Sequence, residues 1–424
     1  MTAVEVSISS RTTVKPSSST PPHLLLWKLS MIDQLTPKHH VPFILFYSPN
    51  PSHPPAAIVA RLKLSLSHAL TKFYPLAGRL HDPSSTVDCG DQGVDFFEAR
   101  VPGAVDLAGV LLLNPGPDLL RQLVPCAAAC TAGCPGGALL AVQATVFSCG
   151  GVAVGLCISH KIADGVSFLC FLQSWAASAT IGGGDAVLES SFFPPLEFFV
   201  SVPDCSPTES TVQRRFVLNG SQLTALRSAD DELDGGTQSP APTRVEAVTG
   251  LFWRAIIRAR PGVGAAGEGL ATHMVDLRKK MTAVPVAETK LGNFSIPVML
   301  PEEDGSWKNL TLGLRRAVTE LDDEKMREAR GPRRLEFAVK SQRQMTRLPT
   351  RCVFSSWCRF PAYGVDFGWG KPAWVAFGGS IMKHSVVIVD GKGGDGVEAW
   401  VSLEEDEMGR LVSDEELLSR LSLC

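Results

Sequence analysis

His160 and Asp164 stand four residues apart in SHKIADGVSF, residues 159–168, between the apolar runs GGVAVGLCI and LCFLQSWAA. Burying ionisable groups costs free energy unless they are paired or kept near solvent, so a use for them is expected here. An imidazole with an ordinary pKa of about 6.5 is mostly neutral at pH 7 and can take a proton from a hydroxyl or amine as it attacks a carbonyl. Asp164 has three roles open to it: orienting the imidazole, capping a helix, or meeting a distant arginine. The plainer alternative for His160 is a core histidine with satisfied hydrogen bonds. H-x-x-x-D is a short pattern, although none of the other eight histidines has an aspartate four residues later.

Three further groups could do chemistry. Asp366-Phe367-Gly368-Trp369-Gly370-Lys371-Pro372 alternates glycines and ends in proline, which makes a tight loop able to gather backbone and indole N–H groups, or else a turn around a buried tryptophan. Asp276-Leu277-Arg278-Lys279-Lys280, with Gly292-Asn293 beyond it, places three cations after a strand. They could meet phosphates, or Arg278 could hold a buried carboxylate while Lys279 and Lys280 stay solvated. Trp253 and Arg254, late in TRVEAVTGLFWR, could serve an adenine and a phosphate, although Val245, Val248, Phe252 and Ile256 mark most of that segment as core. The arginines from Arg327 to Arg351 have acidic neighbours and read as a solvated helix.

The elements that must position these groups follow from pattern. VPFILF (41–46) and VAVGLCIS (152–159) read as buried strands. Between them Ile58, Leu62, Leu66, Leu70 and Phe73 recur at helical spacing after a proline pair. Strands are also expected at STVDC, VDFFEARV and ALLAVQATVFSC. Asp164-Gly165 opens the helix VSFLCFLQSWAASA with Asp164 at its N-cap, so His160 falls on a strand-to-helix turn. The pattern breaks from about 181 to 219 through GGGD, FFPP and VPDCSPTES. This gives an N-terminal domain over 1–200, a crossover linker over 201–219 and a C-terminal domain over 220–424. RRFVL (214–218), late in the linker, and HMVD, FSIPVML, HSVVIVD and VEAWVSL in the C-terminal domain read as strands.

The bulk properties narrow the function. At 424 residues the chain exceeds what one core usually fills, and 45% hydrophobic with 20% charged is ordinary for a globular protein. With 40 Lys+Arg against 43 Asp+Glu, nothing general draws it to nucleic acid or to an anionic membrane. The 11 cysteines are scattered, often in apolar runs, and read as reduced thiols of a cytoplasmic protein. Cys126, Cys130 and Cys134 are evenly spaced, but AAA and TAG flanks with no nearby histidine favour packing over metal, and no metal is expected. The Ser/Thr-rich N-terminus allows a transit peptide, yet Val4, Val6 and Ile8 alternate as in a strand. No run of 18 apolar residues suggests a membrane span.

The motifs taken together resemble the BAHD acyltransferases, a plant family that moves acyl groups from coenzyme A thioesters. HKIADG (160–165) and DFGWG (366–370) carry the likeness, supported in order by FYPLAGRL (73–80), VEAVTGLFWR (245–254), VDLRKK (275–280) and GN (292–293), so that it covers nearly the whole chain. VDCGDQGVDFFEARV, FFPPLEFF and SSWCRFPAYGVDFGWGKP resemble the alkaloid and terpenoid O-acetylating branch. Gly364 and the Ala/Gly-rich 126–138 depart from it.

The resemblance implies an α/β fold of two similar-sized domains like chloramphenicol acetyltransferase, with a channel between them that holds His160. It implies His160 as general base and Asp164 paired to Arg278 in a structural role. Asp366, Gly368 and Gly370 become structural, and Trp369 a candidate to steady the oxyanion. Trp253, Arg254, Lys279, Lys280 and Asn293 are then expected to contact coenzyme A. The expected protein is a cytoplasmic monomer with no permanent cofactor, using acyl-CoA, foremost acetyl-CoA, and a small-molecule hydroxyl acceptor. Hydroxycinnamoyl or benzoyl donors and steroid or amine acceptors are the alternatives. Three rivals are weaker. A non-catalytic relative would not need both motifs intact, lipid acyltransferases use H-x-x-x-x-D, and an oxygenase using His160, Asp164 and His384 lacks the usual H-x-D spacing.

Overall fold

The computed structural model describes residues 5–81, 85–103, 106–112, 115–125, 137–180, 193–197, 202, 204–228, 240–260, 271–281, 290–300, 307–345 and 352–421. Its strands in chain order are β1 (Ser7–Val14), β2 (Leu26–Lys28), β3 (His40–Tyr47), β4 (Arg79–His81), β5 (Thr86–Asp88), β6 (Val94–Arg100), β7 (Leu140–Val146), β8 (Val152–Ser159), β9 (Thr211–Leu218), β10 (Ala271–Asp276), β11 (Ser295–Met299), β12 (Cys352–Ser356), β13 (Trp374–Phe377), β14 (Ser385–Asp390) and β15 (Val397–Glu404). They form two six-stranded sheets, one in each of two units, and a small third sheet ordered β2-β5-β4. The mixed α/β architecture with two sheet-bearing domains is the one expected.

The first sheet runs β1-β6-β7-β8-β3-β13 and is antiparallel except for β6 beside β7. Every residue of β3 and of β8 is buried, which is why both read as unbroken apolar runs rather than as alternation. Two helices cover this sheet. Helix α2 (Pro55–Lys72), which follows the short α1 (Met31–Leu35), starts on the proline pair and buries Ile58, Leu62, Leu66 and Leu70, with Phe73 buried just beyond its end, as the spacing required. Helix α3 (Gly165–Thr180) packs on α2 through Trp175, whose indole N–H donates to the Leu62 carbonyl at 3.2 Å and to Ser65 Oγ at 3.0 Å. Phe168 of α3 meets Phe43 of β3 edge-on at 5.6 Å. Burying each such side chain is worth about 1.5–3 kcal/mol.

The division by sequence position differs from the one expected. The first unit takes residues up to Ser206, the segment ending at Phe294 and Pro361–Ile381, so the Asp366–Gly370 loop belongs to it and not to a purely C-terminal domain. The physical reason is the outer edge of β3, which is buried and needs a hydrogen-bonding neighbour. β13 supplies it, antiparallel, with Ala373 N–H donating to the Phe46 carbonyl at 2.7 Å and Gly378 N–H to the Pro42 carbonyl at 3.1 Å. The strand expected at RRFVL, late in the 201–219 stretch, is β9, which begins three residues earlier at Thr211 and pairs along β15.

The second unit carries a sheet ordered β11-β10-β12-β14-β15-β9. Its helix α4 (Arg244–Ala259) opens on a reciprocal cap in which Thr243 Oγ1 accepts from Glu246 N–H and the Glu246 carboxylate accepts from Thr243 N–H. β1 forms near the N-terminus as expected but is an exposed edge strand, with Ile8 52% accessible. Cys89, Cys149, Cys170, Cys205, Cys352 and Cys358 are free, whereas Cys157 departs from the expected reduced state and is disulfide-bonded. Cys126, Cys130 and Cys134 lie outside the described residues. Among the described residues no helix is long and apolar enough to cross a membrane.

Candidate active site

His160 follows directly on β8, where the chain turns toward α3. Its backbone N–H donates to the His39 carbonyl at 2.8 Å, so the turn is fastened to the start of β3. The imidazole is half-buried, and its Nδ1 lies 2.9 Å from Asn293 Oδ1. Nε2 makes no hydrogen bond among the described residues. Burial pushes the imidazole below its ordinary pKa, against the opposing pull of Asp164 and Asn293, so it is neutral at pH 7. Desolvation thus keeps the ring ready to accept a proton.

Asp164 is the N-cap of α3: its Oδ1 accepts Ser167 N–H at 2.9 Å. Its Oδ2 accepts Phe294 N–H at 2.8 Å, and its own N–H donates to the Gly292 carbonyl at 3.3 Å. Ser167 Oγ adds bonds to the carbonyls of Gly292 (2.7 Å) and Lys290 (3.1 Å). The carboxylate therefore sews the segment 290–294 to the first turn of α3, and this is what brings Asn293 to His160. Gly292 has φ +139°, a value that favours glycine.

Beneath Asn293 lies Asp33. Its Oδ1 accepts both the backbone N–H of Asn293 (2.7 Å) and its amide Nδ2–H (2.8 Å), while its Oδ2 accepts Ser30 N–H at 2.9 Å. The Asn293 amide also donates to the His160 carbonyl at 2.7 Å. Lys161 Nζ donates to the backbone carbonyls of Asp33 (3.3 Å) and Gln34 (2.9 Å). His39 is buried edge-on against the His160 ring at 5.0 Å, and neither of its ring nitrogens has a partner among the described residues. Burial, and after it the proximity of the His160 and His40 rings and the Lys161 ammonium, holds His39 well below the ordinary histidine range.

Several expected site residues sit elsewhere. Asn293, expected on coenzyme A, is committed at both ends of its amide to His160 and Asp33. Asp366 Oδ1 accepts the N–H groups of Gly368 (2.8 Å) and Gly370 (3.0 Å), and those glycines have φ of +97° and +122°, so the loop is a tight turn closed on the Asp366 carboxylate. Trp369, however, stacks on Phe367 at 5.3 Å, meets Tyr47 edge-on at 5.8 Å, and its carbonyl accepts from Asn50. Tyr47 closes β3 and His40 opens it beside Ser159, so Trp369 lies toward the opposite end of the strand from His160. The seven-residue offset is about 23 Å at about 3.3 Å per residue. An oxyanion contact from that ring does not fit this distance.

In the second unit, Trp253 is buried against Phe354 at 6.3 Å and is a core residue, not an open platform for an adenine. Arg254 pairs with Glu416 at 3.2 Å. Arg278 is buried and bonded to Asp276 at 3.2 Å. Lys279 is exposed and Lys280 half-buried. His384, weighed as a metal ligand, faces Glu407 at 2.9 Å in that same unit.

Sequence reasoning missed Asp33 and His39. Asp33 left one readable trace, since Ser30 and Asp33 form a capping box on α1 in which each side chain accepts the other's backbone N–H. His39 left none, being one histidine of a pair before an apolar strand.

Comparison with known proteins gives a consistent result. The family model described as the Transferase family matches residues 4–418. Stemmadenine O-acetyltransferase of Catharanthus roseus is 37% identical over 430 residues, covering 97% of each chain. Vinorine synthase of Rauvolfia serpentina is 35% identical over 419 residues, covering 94% of each. The crystal structure of vinorine synthase superposes with a TM-score of 0.82 at 32% identity, over 99% of both chains.

Proposed function

This chain belongs to the Transferase family, the BAHD acyl-CoA-dependent acyltransferases, and from that premise we propose that it moves an acetyl group from acetyl-CoA to a hydroxyl of a plant alkaloid or terpenoid. It is an acyltransferase. The supporting observation for the mechanism is a neutral imidazole with Nδ1 held by Asn293 and Nε2 uncommitted. Nε2 takes the acceptor's hydroxyl proton as the oxygen attacks the thioester carbonyl. The tetrahedral intermediate then collapses, the C–S bond breaks, and the CoA thiolate takes the proton from the imidazolium. A thiolate leaves far more readily than an alkoxide, so the imidazole alone can manage both transfers.

The relatives named as acetyltransferases support acetyl-CoA as donor and an alkaloid-type alcohol as acceptor. Lys279 and Lys280, neither of them buried, are the residues assigned to the phosphates of coenzyme A. We read the protein as a cytoplasmic monomer: six described cysteines carry free thiols, and the disulfide at Cys157 is the one described feature that runs against a reducing compartment.

A free-thiol assay across several acyl-CoAs, with alkaloid, terpenoid, steroid, phenolic and amine alcohols or amines, tests the reading. Thiol release is expected to be fastest with acetyl-CoA and an alkaloid or terpenoid alcohol. His160→Ala is expected to lower turnover roughly 100- to 10,000-fold. A folded His160→Ala protein with near-parental turnover would overturn the mechanism, and binding without any thiol release would overturn the assignment of substrates.

A further inference from the structure

The chain of hydrogen bonds below His160 runs deeper than a base needs merely to be present. An asparagine amide can point either way, and its neighbours decide. Here the two groups facing one end of the Asn293 amide are the Asp33 carboxylate (2.8 Å) and the His160 carbonyl (2.7 Å), and both are acceptors. That end is therefore the NH2, and the other end, 2.9 Å from His160 Nδ1, is the oxygen. An oxygen can only accept, so Nδ1 carries the proton and Nε2 carries the lone pair.

Asp33 is itself fixed as an acceptor. Three N–H groups converge on its two oxygens, from Ser30, from the Asn293 backbone and from the Asn293 side chain. The charged neighbours of the group are Lys161, whose ammonium sits on the Asp33 carbonyl, and Asp164, which holds the same 290–294 segment from its other side. His39 flanks the ring uncharged.

We propose that Asp33 is a positioning residue of the reaction: acting through Asn293 it holds His160 as the Nδ1–H tautomer and steadies the imidazolium formed when Nε2 takes the acceptor's proton. Resting on the general-base reading of His160, the proposal adds a residue that touches neither substrate. Its proton balance is simple. One proton moves from the acceptor oxygen to Nε2 and from Nε2 to the departing thiolate, while the Nδ1 proton stays in place and Asn293 and Asp33 neither gain nor lose one.

The test uses the full-length enzyme, the free-thiol assay over pH, and ring 15N spectra of 15N-histidine-labelled protein, with His160→Ala assigning the His160 signal. Asp33→Asn keeps the shape and removes the charge. It is expected to lower kcat roughly 10- to 1,000-fold, with both KM values within about threefold. The acid limb of its pH profile should move to lower pH, because an imidazolium without the remote charge forms less readily. Asn293→Leu removes the acceptor facing Nδ1 and is expected to shift the ring proton toward Nε2.

A folded Asp33→Asn enzyme with parental kcat and an unmoved acid limb overturns the proposal. Should Asp33→Asn not fold, an unchanged Nδ1–H signal in Asn293→Leu overturns it instead. Turnover surviving in His160→Ala would remove the base reading itself, whereas an inactive His160→Ala beside a normal Asp33→Asn removes Asp33 alone.

Discussion

At the scale of single residues, Asp164 shows how an acidic side chain four positions from a base can serve it without touching the reaction. Each of its oxygens takes a backbone N–H, one from the helix it caps and one from Phe294. Replacing it with alanine removes a cap worth about 1 kcal/mol and leaves a buried N–H unpaired at about 1–3 kcal/mol more. Asp164→Ala is thus expected to lower Tm by several degrees and to lose activity along with it, because the segment carrying Asn293 is released. Thermal denaturation beside the thiol assay checks this, and activity lost at an unchanged Tm would place Asp164 on the imidazole directly. Of this site, His160 and Asp164 were readable because charged groups in an apolar run demand a reason. Asn293 was not readable in this role, since nothing in its own neighbourhood specifies a partner 133 positions away.

At the scale of elements, β8 is held to its place by the lack of a side chain. A Cβ on Gly155 would lie 2.0 Å from the Leu123 carbonyl oxygen and 3.0 Å from Val124 Cα, which are backbone atoms that cannot swing aside. Gly155→Ala is expected to push that segment off the sheet and cost about 1–3 kcal/mol or more. Gly109, within the helix Leu107–Leu112, has nothing within 4 Å of its would-be Cβ, so Gly109→Ala should be neutral or stabilising by up to about 1 kcal/mol. Paired urea titrations of the two variants check both signs. The strand and helix on either side of His160 were legible, because β8 is the unbroken apolar run at 152–159 and α3 begins where Asp164 precedes a glycine. β13 was not: four apolar residues, WVAF, say that a strand is buried but not which sheet receives it. The arginine-bearing helix was legible only as one piece, and it is two, Asp323–Arg330 and Arg334–Met345, parted at Gly331.

At the scale of the whole molecule, buried neutral histidines set the response to acid. Burial pushes His40 and His273 down to about 4, holds His39 well below its ordinary value, and lowers His160. In the unfolded chain all four titrate near about 6.5. As pH falls below that value the unfolded state gains protons that the folded state refuses, so stability declines through the window from about 6.5 to about 4. His40 and His273 account for about 2 kcal/mol each by pH 5. Asp33, raised by burial, works in the opposite sense, and the ion-paired Asp414, held low first by its hydrogen bond from Arg258, loses its contribution only below about pH 4. Denaturation midpoints measured from pH 8 to pH 5 are expected to fall steadily below about 6.5. A flat profile over that range would contradict the burial of these rings.

The late arrival of β13 has a consequence for how the chain is made. A ribosome releases residues 1–206 roughly 170 positions before Trp374, so for that interval β3, paired with β8 on one side, stands on the other as an open apolar border whose outward carbonyls, those of Pro42 and Phe46 among them, await β13. At about 5–20 residues per second the delay is roughly 8–34 s. The half of the protein that carries the histidine is synthesised first yet finished among the last. Through that gap the nascent polypeptide depends on chaperones, or on its own dilution, to avoid sticking to its neighbours.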